Sequence, residues 1–296
     1  MNFATSLAKR FLLLSAPIVA TSALATAPGL AATFASSESY FELDGFSHAP
    51  GEMETFTVTD TLAIAESGEV EATGSAVAFF GYSPEEASEE NDNSASPVAF
   101  NHSLSQAQGD GTNYLGVAAS GAAVTGYNFL VNAGETFSFG FRGFLDLFTS
   151  IDSPKTERAS TAGGAFFQLY DTSDENNWTL LDSFDIFAKI FTSDNGNGDF
   201  LSQPQYSSNI ALNPDGTGAG YSFGGNNEFA YAYFDGSYSR TFENATSLTL
   251  VEAKGNYAKA EGVPEPSFMI GSLLFTLMGA GYRAKNKSRK SSSAVS

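Results

Sequence analysis

Between residues 33 and 262 the hydrophobic pattern has a period of two. Phe137, Phe139 and Phe141 alternate with Thr136, Ser138 and Gly140, and Phe229, Tyr231 and Tyr233 share one face of a segment at 228–234. No long stretch repeats apolar residues at i, i+3 and i+4. Alternation of Thr, Val, Phe and Tyr, punctuated by Gly, Asn, Asp, Ser and Pro, predicts antiparallel β structure.

The first predicted strands are 39–46 and 54–65, joined by a turn at Ala49-Pro50-Gly51, followed by 69–82. Residues 83–96 carry five carboxylates and few apolar groups, so they predict a solvated loop. Further strands are expected at 97–104 and across 112–130, either side of a glycine-rich loop at Gly109-Asp110-Gly111. Asn132-Ala133-Gly134 predicts a hairpin turn. After Phe141 the odd face continues through Leu145 and Leu147 while Phe144 and Phe148 occupy the other, so both faces are expected to be covered, with Gly143 a candidate bulge.

Residues 149–161 read as a loop. Strands 165–170 and 179–191 form the clearest hairpin: Leu180, Phe184, Ile186, Ala188 and Ile190 share a face, interrupted by Asp182. A weaker strand is expected at 205–212 and a turn at Pro214-Asp215-Gly216. The last strands, 228–234 and 239–254, are expected to meet at a turn, Asp235-Gly236. Roughly ten to twelve strands without crossover helices predict an all-β fold, an antiparallel β-sandwich of jelly-roll type.

The two ends have a different composition. Lys9 and Arg10 precede an apolar run at 11–25, and small residues offer cleavage sites between Ala25 and Ala32. Residues 1–32 therefore read as a secretory signal peptide. At the other end Val263, Pro264, Glu265 and Pro266 form a short rigid break. Residues 267–282 are nearly uncharged and predict a single transmembrane helix, 16 residues against the roughly 20 of a full span. Arg283, Lys285, Lys287, Arg289 and Lys290 then form a basic stop that favours the cytoplasmic side. This divides the chain into a leader (1–32), an ectodomain (33–262), a C-terminal signal (263–290) and a short tail (291–296).

This tripartite order resembles the C-terminal sorting signal of PEP-CTERM proteins, a family of exported bacterial proteins, with Pro264-Glu265-Pro266 as the namesake tripeptide. The resemblance covers only the tail and the leader. It implies recognition and processing by an exosortase-type membrane enzyme and transient anchoring in the inner membrane with the body outside the cytoplasm. It also implies a final location at the cell surface or in an extracellular, exopolysaccharide-rich biofilm matrix.

Separating the ends sharpens the charge. The ectodomain holds 32 of the 33 acidic residues and 7 of the 14 basic ones, a balance of 7 − 32 = −25. Such a body repels nucleic acid and anionic membrane surfaces. There is no cysteine, which excludes disulfides, thiolate metal sites and thiol nucleophiles. The 27 Phe and 12 Tyr must supply the core.

Catalytic signals are sparse, and the expectation is a non-enzymatic protein. His48 and His102 are the only imidazoles, and neither sits in a nucleophile motif. Asp182 and Asp185 are embedded in an apolar strand, where a strand-end or edge position is the structural reading and a carboxylate pair the chemical one. The loop Asp194, Asn195, Asn197 and Asp199 supplies oxygen ligands between glycines and is a candidate calcium site, as is the turn with Asp171, Asp174, Glu175 and Asn176. Trp178, the one tryptophan, is a candidate carbohydrate contact, with Tyr221, Tyr231, Tyr233 and Tyr238 as possible companions. A carbohydrate- or calcium-binding module is thus the alternative to a purely structural surface protein.

Overall fold

A computed structural model of the protein describes residues 33–82, 96–193 and 198–262. The leader, the acidic segment before Ser96 and the whole sorting signal lie outside the described residues. So do the calcium candidates Asp194, Asn195 and Asn197.

The described residues form twelve strands: β1 (Thr33–Asp44), β2 (Glu52–Tyr82), β3 (Pro97–Val131), β4 (Thr136–Ile151), β5 (Glu157–Asp171), β6 (Thr179–Thr192), β7 (Phe200–Leu201), β8 (Gln205–Tyr206), β9 (Ile210–Leu212), β10 (Gly218–Ser222), β11 (Asn227–Thr241) and β12 (Thr246–Gly262). All pairings are antiparallel. They form one sheet along the path β10-β11-β4-β1-β3-β12-β5-β6-β7, with β2 on β3, β8 on β6 and β9 on β11. The all-β antiparallel expectation holds, as a strongly curled half-barrel of nine strands along that path.

The curl originates in β3. Residues 99–109 of this strand pair with β1, and residues 114–131 pair with β12. The strand folds back at Gly111, directly beside a matching bend of β2 at Gly68. Both glycines hold positive φ, +110° and +108°, and a Cβ on either would strike the other strand's backbone. The two halves of β3 then face each other, and Ser105 Oγ donates to the Ala118 carbonyl (3.3 Å). What reads as a loop at 109–111 is therefore a sharp bend within a strand pair.

The curl brings β1, β4 and β11 against β12, β5 and β6 across the core. Phe41 of β1 meets Phe167 of β5 edge-on (6.2 Å) and Phe184 of β6 (6.1 Å), and Phe184 contacts Phe234 of β11 (4.9 Å). This phenylalanine-rich core occupies one end. A smaller core of Ala35, Ala107, Ala159, Ala258 and Tyr114 occupies the other. Between them the inward positions are polar: Ser37 and Ser39 of β1, Asn101, Ser103 and Ser105 of β3, Thr161 of β5, and Glu252, Lys254 and Asn256 of β12 are all buried.

Other expectations are corrected. Residues 157–161, read as loop, belong to β5 and pair with β12, and 159–161 pair with β6 as well. Asp235-Gly236 is no turn but the middle of β11, where Gly236 leaves room for the Ala211 carbonyl and the Phe141 ring. Gly143 is not a bulge: register runs through it on both sides, and its missing side chain admits the Tyr40 carbonyl and the Phe234 ring. The bulge lies instead at Leu181, between the pairs Asp182–Leu169 and Leu180–Tyr170, so Leu180 turns outward and is exposed while Phe184, Ile186, Ala188 and Ile190 are buried.

Candidate functional site

The backbone of Asp182 has a ladder partner, Leu169, on one side only, as an edge position does, but its side chain faces the core. It is buried in β6 and accepts from Tyr238 OH (2.9 Å), Arg240 Nη1 (2.8 Å) and Asn209 Nδ2 (3.0 Å). Three donors satisfy one buried carboxylate, which is how such a charge is tolerated in a core. Asp185 lies on the opposite face of β6, half-buried, and burial raises its carboxyl pKa. The two carboxylates do not converge on a cleft.

His48 links Ser47 Oγ (2.9 Å) to Glu135 Oε2 (3.1 Å), an arrangement that superficially resembles a nucleophile–base–acid relay. The serine oxygen is occupied, however. It accepts from Ser138 N (2.9 Å) and lies 3.3 Å from the Thr136 carbonyl, to which it donates. The group clamps the β1–β2 connection onto the β3–β4 turn. Glu135 is pulled down to about 2 by the Asn132 backbone N–H, His48 and the Asn132 side chain. His102 pairs with Glu38 (2.8 Å) on the outer face of the sheet.

The acidic turns bind their own backbone. Asp171 Oδ1 accepts from Ser173 N (2.9 Å), Asp174 Oδ1 from Asn176 N (2.9 Å), and Asp199 Oδ1 from Phe191 N (2.6 Å). Among the described residues no three His, Asp or Glu side chains are grouped to hold a metal ion. Trp178 is half-buried against Tyr170 (6.0 Å between rings). Tyr238 belongs to the core, so it is not a surface companion of Trp178.

The exposed aromatic row lies elsewhere. Phe229, Tyr231 and Tyr233 project from the outer face of β11, while Ala230, Ala232 and Phe234 point inward. Phe229 pairs with Phe148 and Tyr233 with Phe144 in register, and Phe144 stacks on Tyr40 (6.1 Å) of β1. Beside them Tyr231 and Tyr233 fill the space over Gly220 and Gly218 of the edge strand β10. Within this field sits Asp146, whose carboxyl pKa is raised by burial and by the nearby Glu38. Phe144 and Phe148, expected to be covered on the second face, are half-buried members of this surface.

A second cluster went unnoticed in the sequence. Asn101, Glu252 and Lys254 are fully buried together at the boundary of the phenylalanine core. Lys254 Nζ donates to the Asn101 backbone carbonyl (2.9 Å) and contacts Asn101 Oδ1, and Asn101 Nδ2 donates to Glu252 Oε2. Glu252 Oε1 lies 3.4 Å from Nζ and accepts no hydrogen bond. The Phe41 ring covers the amine at 5.6 Å. Burial lowers the Lys254 pKa to about 8 and raises that of Glu252, shifting each group toward its neutral form. The legible signal was on β12, where Leu248, Leu250, Ala258 and Ala260 define an inward face on which Glu252 and Lys254 also fall.

The described residues thus define an all-β half-barrel with a polar belt through its core and an aromatic outer face. No protein-family model, curated protein or solved structure matches the chain.

Proposed function

We propose that this protein is an exported, non-enzymatic component of the cell surface or extracellular matrix, sorted by an exosortase-type enzyme. The observation that carries the reading is the order of the ends around an acidic body: a leader, a body of charge −25, then Pro264-Glu265-Pro266, an apolar run and a basic stop. The body supports it, because Asp182, Glu135 and His48, its candidate catalytic groups, are engaged in holding strands and turns together. In this reading the curled sheet is a sandwich of jelly-roll type whose outer faces meet the matrix. Mass spectrometry of the C-terminus of the exported protein tests the assignment. Cleavage near Pro264-Glu265-Pro266 that is lost on replacing the tripeptide is expected, and a wild-type protein retained intact in the membrane sinks it.

A second reading is favoured by one observation. Phe229, Tyr231 and Tyr233 form an exposed aromatic row beside Asp146 and Glu38, the combination of stacking surface and acceptors that recognises sugar rings. A glycan array with the wild type and the Y231A/Y233A double variant tests it. Binding that persists in the double variant rejects this face as the site.

A further inference from the structure

The Asn101–Glu252–Lys254 cluster is unusual for a structural ion pair. Glu252 and Lys254 stand two residues apart on one strand, so their attraction alone joins nothing to anything. The third member comes from the opposite wall of the curl: Asn101 pairs with Phe41 and Ala78, whereas Lys254 pairs with Ala122 and Ala165. An amine, a carboxamide and a carboxyl group are thereby brought into mutual contact in a site that water does not reach.

We propose that Lys254 and Asn101 are joined by an intramolecular isopeptide bond, formed within the folded chain with Glu252 as the proton carrier. In the reaction the Lys254 amine lone pair attacks Asn101 Cγ. Glu252, between the two, receives the proton from Nζ and delivers a proton to Nδ2 of the carboxamide. The Cγ–Nδ2 bond breaks, ammonia leaves, and an amide links Nζ to Cγ. One C–N bond forms and one breaks, Glu252 is regenerated, and no oxidant, metal or cofactor is consumed.

The surroundings suit each step. Burial lowers the Lys254 pKa, which eases loss of the proton that masks the nucleophile, and raises that of Glu252, which favours its taking that proton and passing one to the leaving nitrogen it already contacts. Glu252 Oε1, which accepts no hydrogen bond, faces Nζ at 3.4 Å and is free to take its proton. The packed ring of Phe41, itself enclosed by Phe141, Phe167, Phe184 and Phe234, excludes the water that would compete as nucleophile. The product ties β3 to β12 across the polar belt, where apolar packing is thinnest.

The full chain, purified folded, is digested with trypsin and a Glu-specific protease and its peptides are sequenced by mass spectrometry. The expected result is a branched peptide joining the Asn101 and Lys254 segments, lighter than their sum by one ammonia, with no tryptic cleavage after Lys254. Folded wild-type protein that yields cleavage after Lys254 and an unmodified Asn101 peptide overturns the proposal. Glu252→Gln is expected to leave the two segments separate and the intact chain at its full sequence mass with no ammonia lost, and a branched peptide in that variant overturns the role of Glu252. If the variant does not fold, the wild-type peptide map decides alone.

Discussion

Asp182 offers the most direct test of how the core is held. Replacing it by Ala removes the shared acceptor of Tyr238, Arg240 and Asn209. The Arg240 side chain is 33% exposed and can return to water, so its share is small. Tyr238 is fully buried, and its hydroxyl loses its charged acceptor. Hydrogen bonds to charged groups contribute about 1.5–3 kcal/mol, and breaking a buried pair from one side costs about 3–5 kcal/mol. With the arginine discounted, D182A is expected to cost about 3 kcal/mol. At a urea slope near 3 kcal/mol/M this moves the unfolding midpoint by about 1 M with the slope unchanged. A double-mutant cycle with Y238F separates the tyrosine contact from the rest. The two substitutions are expected to couple by about 2 kcal/mol, because Y238F already removes the donor that D182A strands. Coupling below about 0.5 kcal/mol would mean that the hydroxyl finds another partner and that the network is not a unit.

Three further outcomes are expected. Glu135 titrates near 2 when folded rather than at 4.5, so its contribution is present above pH 4.5 and disappears as pH falls through 2; the difference in melting temperature between wild type and E135Q should shrink over that window. Burial and the neighbouring Glu157, Asp110 and Glu261 carboxylates push Tyr114 up to about 12, outweighing the opposing hydrogen bond with Thr33. Its neutral phenol therefore stabilises the fold below pH 10, and this is lost as pH rises through 12, which a phenolate absorbance titration alongside circular dichroism checks. Gly111→Ala, at φ +110° with the Ser67 carbonyl in the way, should cost about 2–3 kcal/mol in the same urea assay, and an unchanged midpoint would refute the bend.

Alternation made most strands legible, because a period of two survives wherever one face is buried and the other is not. It failed where long-range pairing decides the outcome. The Gly109-Asp110-Gly111 stretch carries the marks of a loop, and only its pairing with β2 makes it a bend within the β2–β3 ladder, whose register shifts at Ser67 and Gly68. Asp235-Gly236 has turn chemistry, yet β4 pairs with β11 on both sides of it and overrides the local preference. The bulge at Leu181 reversed the outlook of Leu180, a two-for-one pairing that no single strand announces. Asp182 was visible as an intruder on an apolar face, but its partners Tyr238 and Arg240 lie more than fifty residues on. Lys254 and Asn101 are separated by 153 residues, so the sequence shows each alone as an ordinary polar residue.

The same polar belt explains why a covalent tie would matter in this chain. Along β1 the inward residues run Phe41, Ser39, Ser37, Ala35, and along β12 they run Leu250, Glu252, Lys254, Asn256, Ala258. The middle of each series buries hydroxyls, amides and charges, groups that gain little from leaving water and cost free energy unless paired. A disulfide can close such a weak region, and this chain has no cysteine to form one. A bond from Asn101 to Lys254 closes a loop of 153 residues, for which the chain-entropy relation developed for disulfides gives about 5 kcal/mol. That is comparable to the whole net stability of many domains. Unlike a disulfide, an amide does not respond to the redox state of its surroundings, so the tie would hold in oxidising and reducing surroundings alike. The buried Glu252–Lys254 pair would then cease to be a cost without a return: Lys254 and Asn101 would be consumed in the bond, and Glu252 would remain as the trace of how it was made.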